Sequence, residues 1–149
     1  MEALLGLEGD WRGNNRLYYP HDEPAKETES TARVTPVLGG RFLRVDYTWS
    51  YQGQPQEGSM LVGHDPKSGK AAIHWIDTWH VGRTVQVSEG TFSDGTVDAL
   101  AHYPAPEGPP WGWRTELKPL GADRFAFRMW NIPPGMEEVI AVEAEFSRA

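Results

Sequence analysis

The sequence predicts an all-β protein, a closed up-and-down antiparallel barrel of about ten strands with one short N-terminal helical turn. Three observations carry that expectation. Turn chemistry recurs about every 12 residues. The runs between turns are rich in Val, Ile, Thr, Tyr, Phe and Trp, which suit a pleated, half-buried surface. No alternation of strand and helix patterns suggests βαβ units. An open meander of short strands would leave two unpaired edges, and closure into a barrel removes both, which favours a barrel over a sandwich.

The elements follow from the turns. Glu2 to Leu7 has a helical pattern long enough only for a lid or plug before the first strand. Turn signals stand at Gly13-Asn14-Asn15, His21 to Pro24, Gly39-Gly40, Gln52 to Pro55, Pro66 to Gly69, Val81-Gly82, Asp94-Gly95, Glu107 to Pro110, Gly121-Ala122 and Pro133 to Gly135. Strands are expected near residues 10–19, 28–37, 41–51, 57–65, 70–80, 83–92, 96–103, 111–118, 123–131 and 137–147. The polar stretch HDEPAKETES, 21–30, reads as a flexible entrance loop.

With 149 residues the chain can bury roughly two-thirds of its unfolded surface in one core, so a single domain over 1–149 is expected. The absence of cysteine excludes disulfides, thiolate metal sites and thiol nucleophiles. Glu2 stands where a secretory leader would carry Lys or Arg, and Gly6 and Glu8 break the apolar run, so the opening does not read as a signal peptide. No stretch approaches the roughly 20 apolar residues of a membrane helix, and a cytoplasmic protein, monomer or homodimer, is expected. A net charge of -7 without clustered Lys or Arg argues against nucleic acid, whose backbone demands a basic stripe. Seven Trp, five Tyr and five Phe are a load that core and ligand wall could share.

The stretch AAIHWIDTWH, 71–80, concentrates the chemistry. Strand alternation puts Ala71, Ile73, Trp75, Asp77 and Trp79 on one face and His74, Ile76, Thr78 and His80 on the other. If Asp65 pairs with Lys70, Met60, Val62 and His64 join the tryptophan face. Asp94-Gly95 pairs Ser93 with Thr96, and a His80 to Arg83 pairing continues the face into Gln86, Ser88 and Ala99, with Tyr103 beside them. A four-residue Gln52 to Pro55 turn adds Leu43, Val45, Tyr47 and Trp49. The first set is the more apolar and is taken as the interior, although a one-residue slip at any turn would invert everything beyond it.

His74 and His80 then fall on the solvent face, about 20 Å apart at roughly 3.3 Å per residue, too far to share a metal ion, and no metal site is expected. Asp77 is the strongest site candidate, because an inward carboxylate is desolvated unless something pairs with it. Arg44 and Arg83 fall on the opposite face. An unpaired wall carboxylate would make Asp77→Asn neutral or stabilising by about 1 kcal/mol.

Gly9-Asp10-Trp11 ahead of a barrel is similar to the Gly-x-Trp opening of lipocalins and their calycin relatives, in which the Trp plugs the closed end. Together with Glu29-Ser30, the run from Thr35 to Arg44, Glu57-Gly58, Gly63-His64-Asp65 and Trp75-Ile76-Asp77, the chain resembles an uncharacterised bacterial domain family placed among the calycins, domain of unknown function 1579. That resemblance implies a barrel and no particular activity. Nitrobindin-like haem barrels share Gly9, Trp11 and Gly13 but not Asn15, and their late histidine ligand has no counterpart after His102. Haem would need His64 or His102.

Three functions are therefore open. The first is binding of a small, partly apolar ligand among Tyr47, Trp49, Met60, His64, Trp75, Trp79 and Tyr103, with Asp77 and Gln86 orienting its polar end. The second is a haem barrel. The third is a small acid/base enzyme using Asp77 and His64; no Ser-His-Asp, Gly-x-Ser-x-Gly or His-Glu-x-x-His pattern supports it further.

Overall fold

The computed structural model describes all residues from Met1 to Ala149. A single helical turn, α1 (Glu2–Leu5), precedes ten antiparallel strands: β1 (Gly9–Leu17), β2 (Lys26–Val37), β3 (Phe42–Tyr51), β4 (Gln54–His64), β5 (Lys70–Asp77), β6 (Gln86–Ser93), β7 (Thr96–Tyr103), β8 (Trp111–Gly121), β9 (Arg124–Ile132) and β10 (Val139–Arg148). Each strand pairs with its sequence neighbour, and β1 pairs with β10 to close the barrel.

The interior is the face the alternation selected. Leu43, Val45, Tyr47, Trp49, Met60, Val62, Ala71, Ile73 and Trp75 are buried, as are Leu117, Phe125, Phe127 and Phe146 from the far wall. Asp65 donates its N–H to Lys70 O, and Ser93 lies opposite Thr96, as expected. Two turns differ. Gln52-Gly53 is a two-residue turn with both φ positive, which matches the strand twist and puts Tyr51 opposite Gln54 rather than Gln56. Across β5 and β6, Trp75 faces Gln86, two residues from the register a His80 to Arg83 pair would give. Both differences are shifts of two, so no side chain changes face.

Gly13-Asn14-Asn15 lies inside β1 and is not a turn. A Cβ on Gly13 would stand 1.8 Å from Glu145 O, and one on Gly90 would stand 1.9 Å from Asp98 O. Backbone cannot yield as a side-chain tip can. Gly13→Ala and Gly90→Ala are each expected to destabilise by about 1 to 3 kcal/mol or more, read as a lowered urea midpoint; an unchanged midpoint would show that neighbouring strands move freely there.

One end is plugged. At the end where the 38–41, 65–69, 94–95 and 122–123 turns lie, Leu4 and Leu7 are buried, with Leu5 near Gly40 and Ala3 near Gly95. Trp11 Nε1 donates to Leu7 O at 2.8 Å, and the Arg148 guanidinium lies 4.2 Å over the Trp11 ring while donating to Gly6 O and Glu8 O. The other end is ringed by the loops 18–25, 52–53, 78–85, 104–110 and 133–138. Only the first part of the polar stretch 21–30 belongs to a loop; from Lys26 it is strand β2, and Ser30 is buried. The outer wall of β8 to β10 carries a lattice of cross-strand ion pairs, Arg128 with Glu116, Glu143 and Glu145 among them.

Candidate functional site

Strand β5 stops at Asp77, three residues short of the expected end, and the cause is Asp77 itself. Its Oδ1 accepts the backbone N–H groups of Trp79 (3.2 Å), His80 (2.6 Å) and Val81 (3.1 Å), which folds the chain into a turn at the barrel mouth. Strand alternation ends there. His80, expected on the solvent face, instead turns inward, its side chain 13% exposed, and its Nδ1 hydrogen-bonds Asp77 Oδ2. His74, still within the strand, is exposed as expected.

The carboxylate that the sequence singled out is buried and paired, with a histidine and not an arginine. Burial alone would push the Asp77 carboxyl up; the hydrogen bond with the His80 ring, with the His80 and Val81 amides, outweighs it and holds the group below the usual range. Gly58 sits opposite both Tyr47 and Asp77. Having no side chain there lets the Tyr47 ring lie across the strand, where a Cβ would meet its Oη at 2.3 Å. Tyr47 Oη accepts a hydrogen bond from Trp75 Nε1 at 2.9 Å, and burial and the nearby Asp77 charge raise the phenol far above its ordinary range.

Around His80 the tryptophans form walls. Its ring centroid lies 4.6 Å from Trp79, 5.3 Å from Trp75, 5.6 Å from Trp113 and 5.9 Å from Trp49. Trp75 and Trp113 stack at 5.5 Å with 13° between planes. Trp79 is half-buried in the loop and meets Tyr19, Trp49 and Tyr51 edge-on, making the outer rim of this cluster. Tyr103 packs near Trp111 and Trp113, its hydroxyl paired with Asn131 Oδ1.

Two side-chain polar atoms are fully buried without a partner, Gln86 Oε1 and Trp113 Nε1. Both residues belong to the mouth: Gln86 lies opposite Trp75, on which Trp113 stacks. A buried donor or acceptor left alone costs about 1 to 3 kcal/mol. His80 Nε2 also makes no hydrogen bond, and it is not among the fully buried atoms.

Most expected site residues are thus assembled at one end: Tyr47, Trp49, Trp75, Asp77, Trp79, Gln86 and Tyr103. Met60 sits deeper, fully buried in the core. His64 is at the opposite, plugged end, against Phe92 at 4.6 Å and beside a surface hollow lined by Met1, Glu2, Arg41, Phe42, Asp65 and Pro66. Gly58 is the partner of Asp77 and Ala71 that of His64, so six residues, about 20 Å of strand, separate the two groups. Asp77 and His64 therefore cannot share a proton. The histidines offered for haem do not fit either: His102 is exposed on the outer wall and the His64 hollow carries three charged side chains, whereas a porphyrin needs an apolar slot. His80 and Trp113 are the residues sequence reasoning missed. An Asp followed three residues later by a residue whose side chain could fold back was the available signal.

A groove of about 970 Å³ lies elsewhere, along β1 to β5 and the 82–85 loop. Several of its polar side chains pair with one another: Arg33 with Asp10, Ser59 with Asp46, Thr31 with Thr48. No unpaired buried atom faces it, and the mouth is the better candidate on that ground.

Fold and site together define an up-and-down β-barrel with one plugged end and one aromatic, histidine-bearing mouth. The chain belongs to the family described as protein of unknown function (DUF1579), whose profile matches residues 2–148. No curated protein is detectably similar in sequence. Among solved structures, the chain is similar to Rv2717c from M. tuberculosis, with 14% identity, a TM-score of 0.65, and 99% of this chain and 96% of that one covered. It is also similar to the S-type phycobiliprotein lyase CPES from Guillardia theta, with 13% identity, a TM-score of 0.61, and coverage of 99% and 91%. At these identities the likeness is one of fold.

Proposed function

We propose that the protein binds a small, partly apolar molecule at the barrel mouth, with a flat body against the tryptophan walls and a polar end at Gln86, Trp113 and His80. The observation that carries this reading is the pair of orphaned buried side-chain atoms, Gln86 Oε1 and Trp113 Nε1, at the end of the barrel where the aromatic residues gather. Buried polar groups in folded proteins nearly always have partners, and a bound molecule would supply them. Asp77 takes a different part from the one its position in the strand suggests: its oxygens are engaged by His80 and the turn, so it orients the site and does not itself touch the ligand.

Intrinsic tryptophan emission reports on the mouth, because Trp49, Trp75, Trp79 and Trp113 all border it. Titration with a panel of flat aromatic compounds and lipids is expected to give a saturable change for at least one member, weakened by Trp79→Phe with little loss of stability, since Trp79 is only half-buried. Unchanged emission across the panel would overturn the reading.

A further inference from the structure

We infer that the mouth selects molecules bearing an acidic hydroxyl on a flat ring, a phenol or an enol, and that His80 Nε2 is the atom that accepts the hydroxyl's hydrogen bond. This chemistry presupposes that the mouth is a ligand site and names what such a site would take.

It follows from the order in which Asp77 and His80 are tied together. Three backbone N–H groups converge on Asp77 Oδ1 and fix the turn, while Oδ2 is left for the His80 ring. An ionised carboxylate only accepts hydrogen bonds, so the nitrogen facing it carries the proton. In the neutral imidazole that proton on Nδ1 leaves Nε2 with a free lone pair. The ring cannot turn away, because Trp49, Trp75, Trp79 and Trp113 enclose it at 4.6 to 5.9 Å. The result is a hydrogen-bond acceptor of fixed direction, backed by a buried carboxylate on the far side of the ring, and with no partner inside the protein.

The neighbouring orphans complete the pattern. Trp113 Nε1 offers a donor and Gln86 Oε1 a second acceptor. A phenolic oxygen donates one hydrogen bond and accepts another, which matches His80 Nε2 and Trp113 Nε1, and its ring is the shape that stacks on indole walls. An ether of the same ring can accept but not donate. It would leave His80 Nε2 and Gln86 Oε1 as they are.

The test compares 2-naphthol with its methyl ether, 2-methoxynaphthalene, by calorimetry on the full chain. Wild-type protein is expected to bind the naphthol about tenfold or more tightly than the ether, the step a hydrogen bond to a polarised group supplies. In His80→Phe, which keeps an aromatic ring among the tryptophans, that ratio is expected to fall to about one. Should His80→Phe fail to fold, Asp77→Asn provides the second variant. Its Oδ1 can still accept the backbone amides, but its NH₂ faces His80 Nδ1 and forces the other tautomer, making Nε2 a donor and abolishing the preference. Nitrogen NMR of the wild-type protein at alkaline pH is expected to show His80 protonated at Nδ1 and bare at Nε2. Equal binding of naphthol and ether, or a proton on Nε2, would overturn the hydroxyl selection and leave the mouth standing as an apolar site. Failure of both compounds to bind would remove this proposal and count against the mouth as a ligand site.

Discussion

Replacing Trp75 with alanine is expected to lower the unfolding free energy by about 3 to 5 kcal/mol, the range for truncating a large buried aromatic residue. Trp75 is 2% exposed, stacks on Trp113, flanks His80 and gives its indole N–H to Tyr47 Oη. Truncation empties the centre of the mouth and leaves a buried phenol hydroxyl without its donor. Trp75→Phe retains most of the packing and loses the hydrogen bond, so a loss nearer 1 to 2 kcal/mol is expected. Urea melts with unchanged slope check both. A loss under about 1 kcal/mol for the alanine variant would show that this end of the barrel is loosely packed.

Asp77→Ala is expected to have an effect of similar size, about 3 to 5 kcal/mol, because it strips a buried partner from His80 and from three backbone amides at once. Asp77→Asn keeps the amide contacts and loses the charge-assisted bond, for which about 1 to 3 kcal/mol is expected. This replaces the neutral or stabilising outcome that an unpaired wall carboxylate would give. The sign of the pH dependence follows. The folded carboxyl has a pKa below that of the unfolded chain, so its contribution is fully present above the ordinary aspartate value of about 3.9 and is lost as pH falls through the lower folded value. In Asp77→Asn that part of the acid-side slope disappears. An acid unfolding profile with the same slope in wild type and variant would refute the pairing.

The barrel itself was legible because its signals are periodic and redundant. Turn residues and alternation agree over ten strands, and where Gln52-Gly53 and the 78–85 connection departed from the expected register they did so by two residues, which parity forgives. The site was legible only as far as alternation reached. Tyr47, Trp49, Trp75 and Gln86 lie on regular strands, where alternation alone sets their facing toward the interior. His80 was assigned to solvent because β5 was extended to residue 80, whereas Asp77 captures the amides ahead of it and ends the strand. A side chain that bonds its own following backbone overrides strand periodicity, and such local competition leaves little trace in a hydrophobic pattern. Trp113 escapes for a related reason: the connection 104–110 separates β7 from β8, and its Glu107 to Pro110 turn signal marks a reversal without fixing the register across it. His64 was correctly set on the tryptophan face, yet facing says nothing about height along a barrel. Six residues of strand placed it at the other end.

The pairing of β1 with β10 sets the order in which the molecule can be assembled. Every other strand meets a sequence neighbour, but Trp11 must wait for Arg148 and Leu17 for Val142. Until that last ladder zips, the chain is an open ten-strand sheet whose two terminal edges, β1 and β10, are unfilled templates. Contacts of such sequence separation are slow to form, so the nascent barrel spends its most exposed interval one ladder short of closure. A second copy of β10 fits the β1 edge as well as the first does, which makes exchange of β10 between two chains the natural error at high concentration.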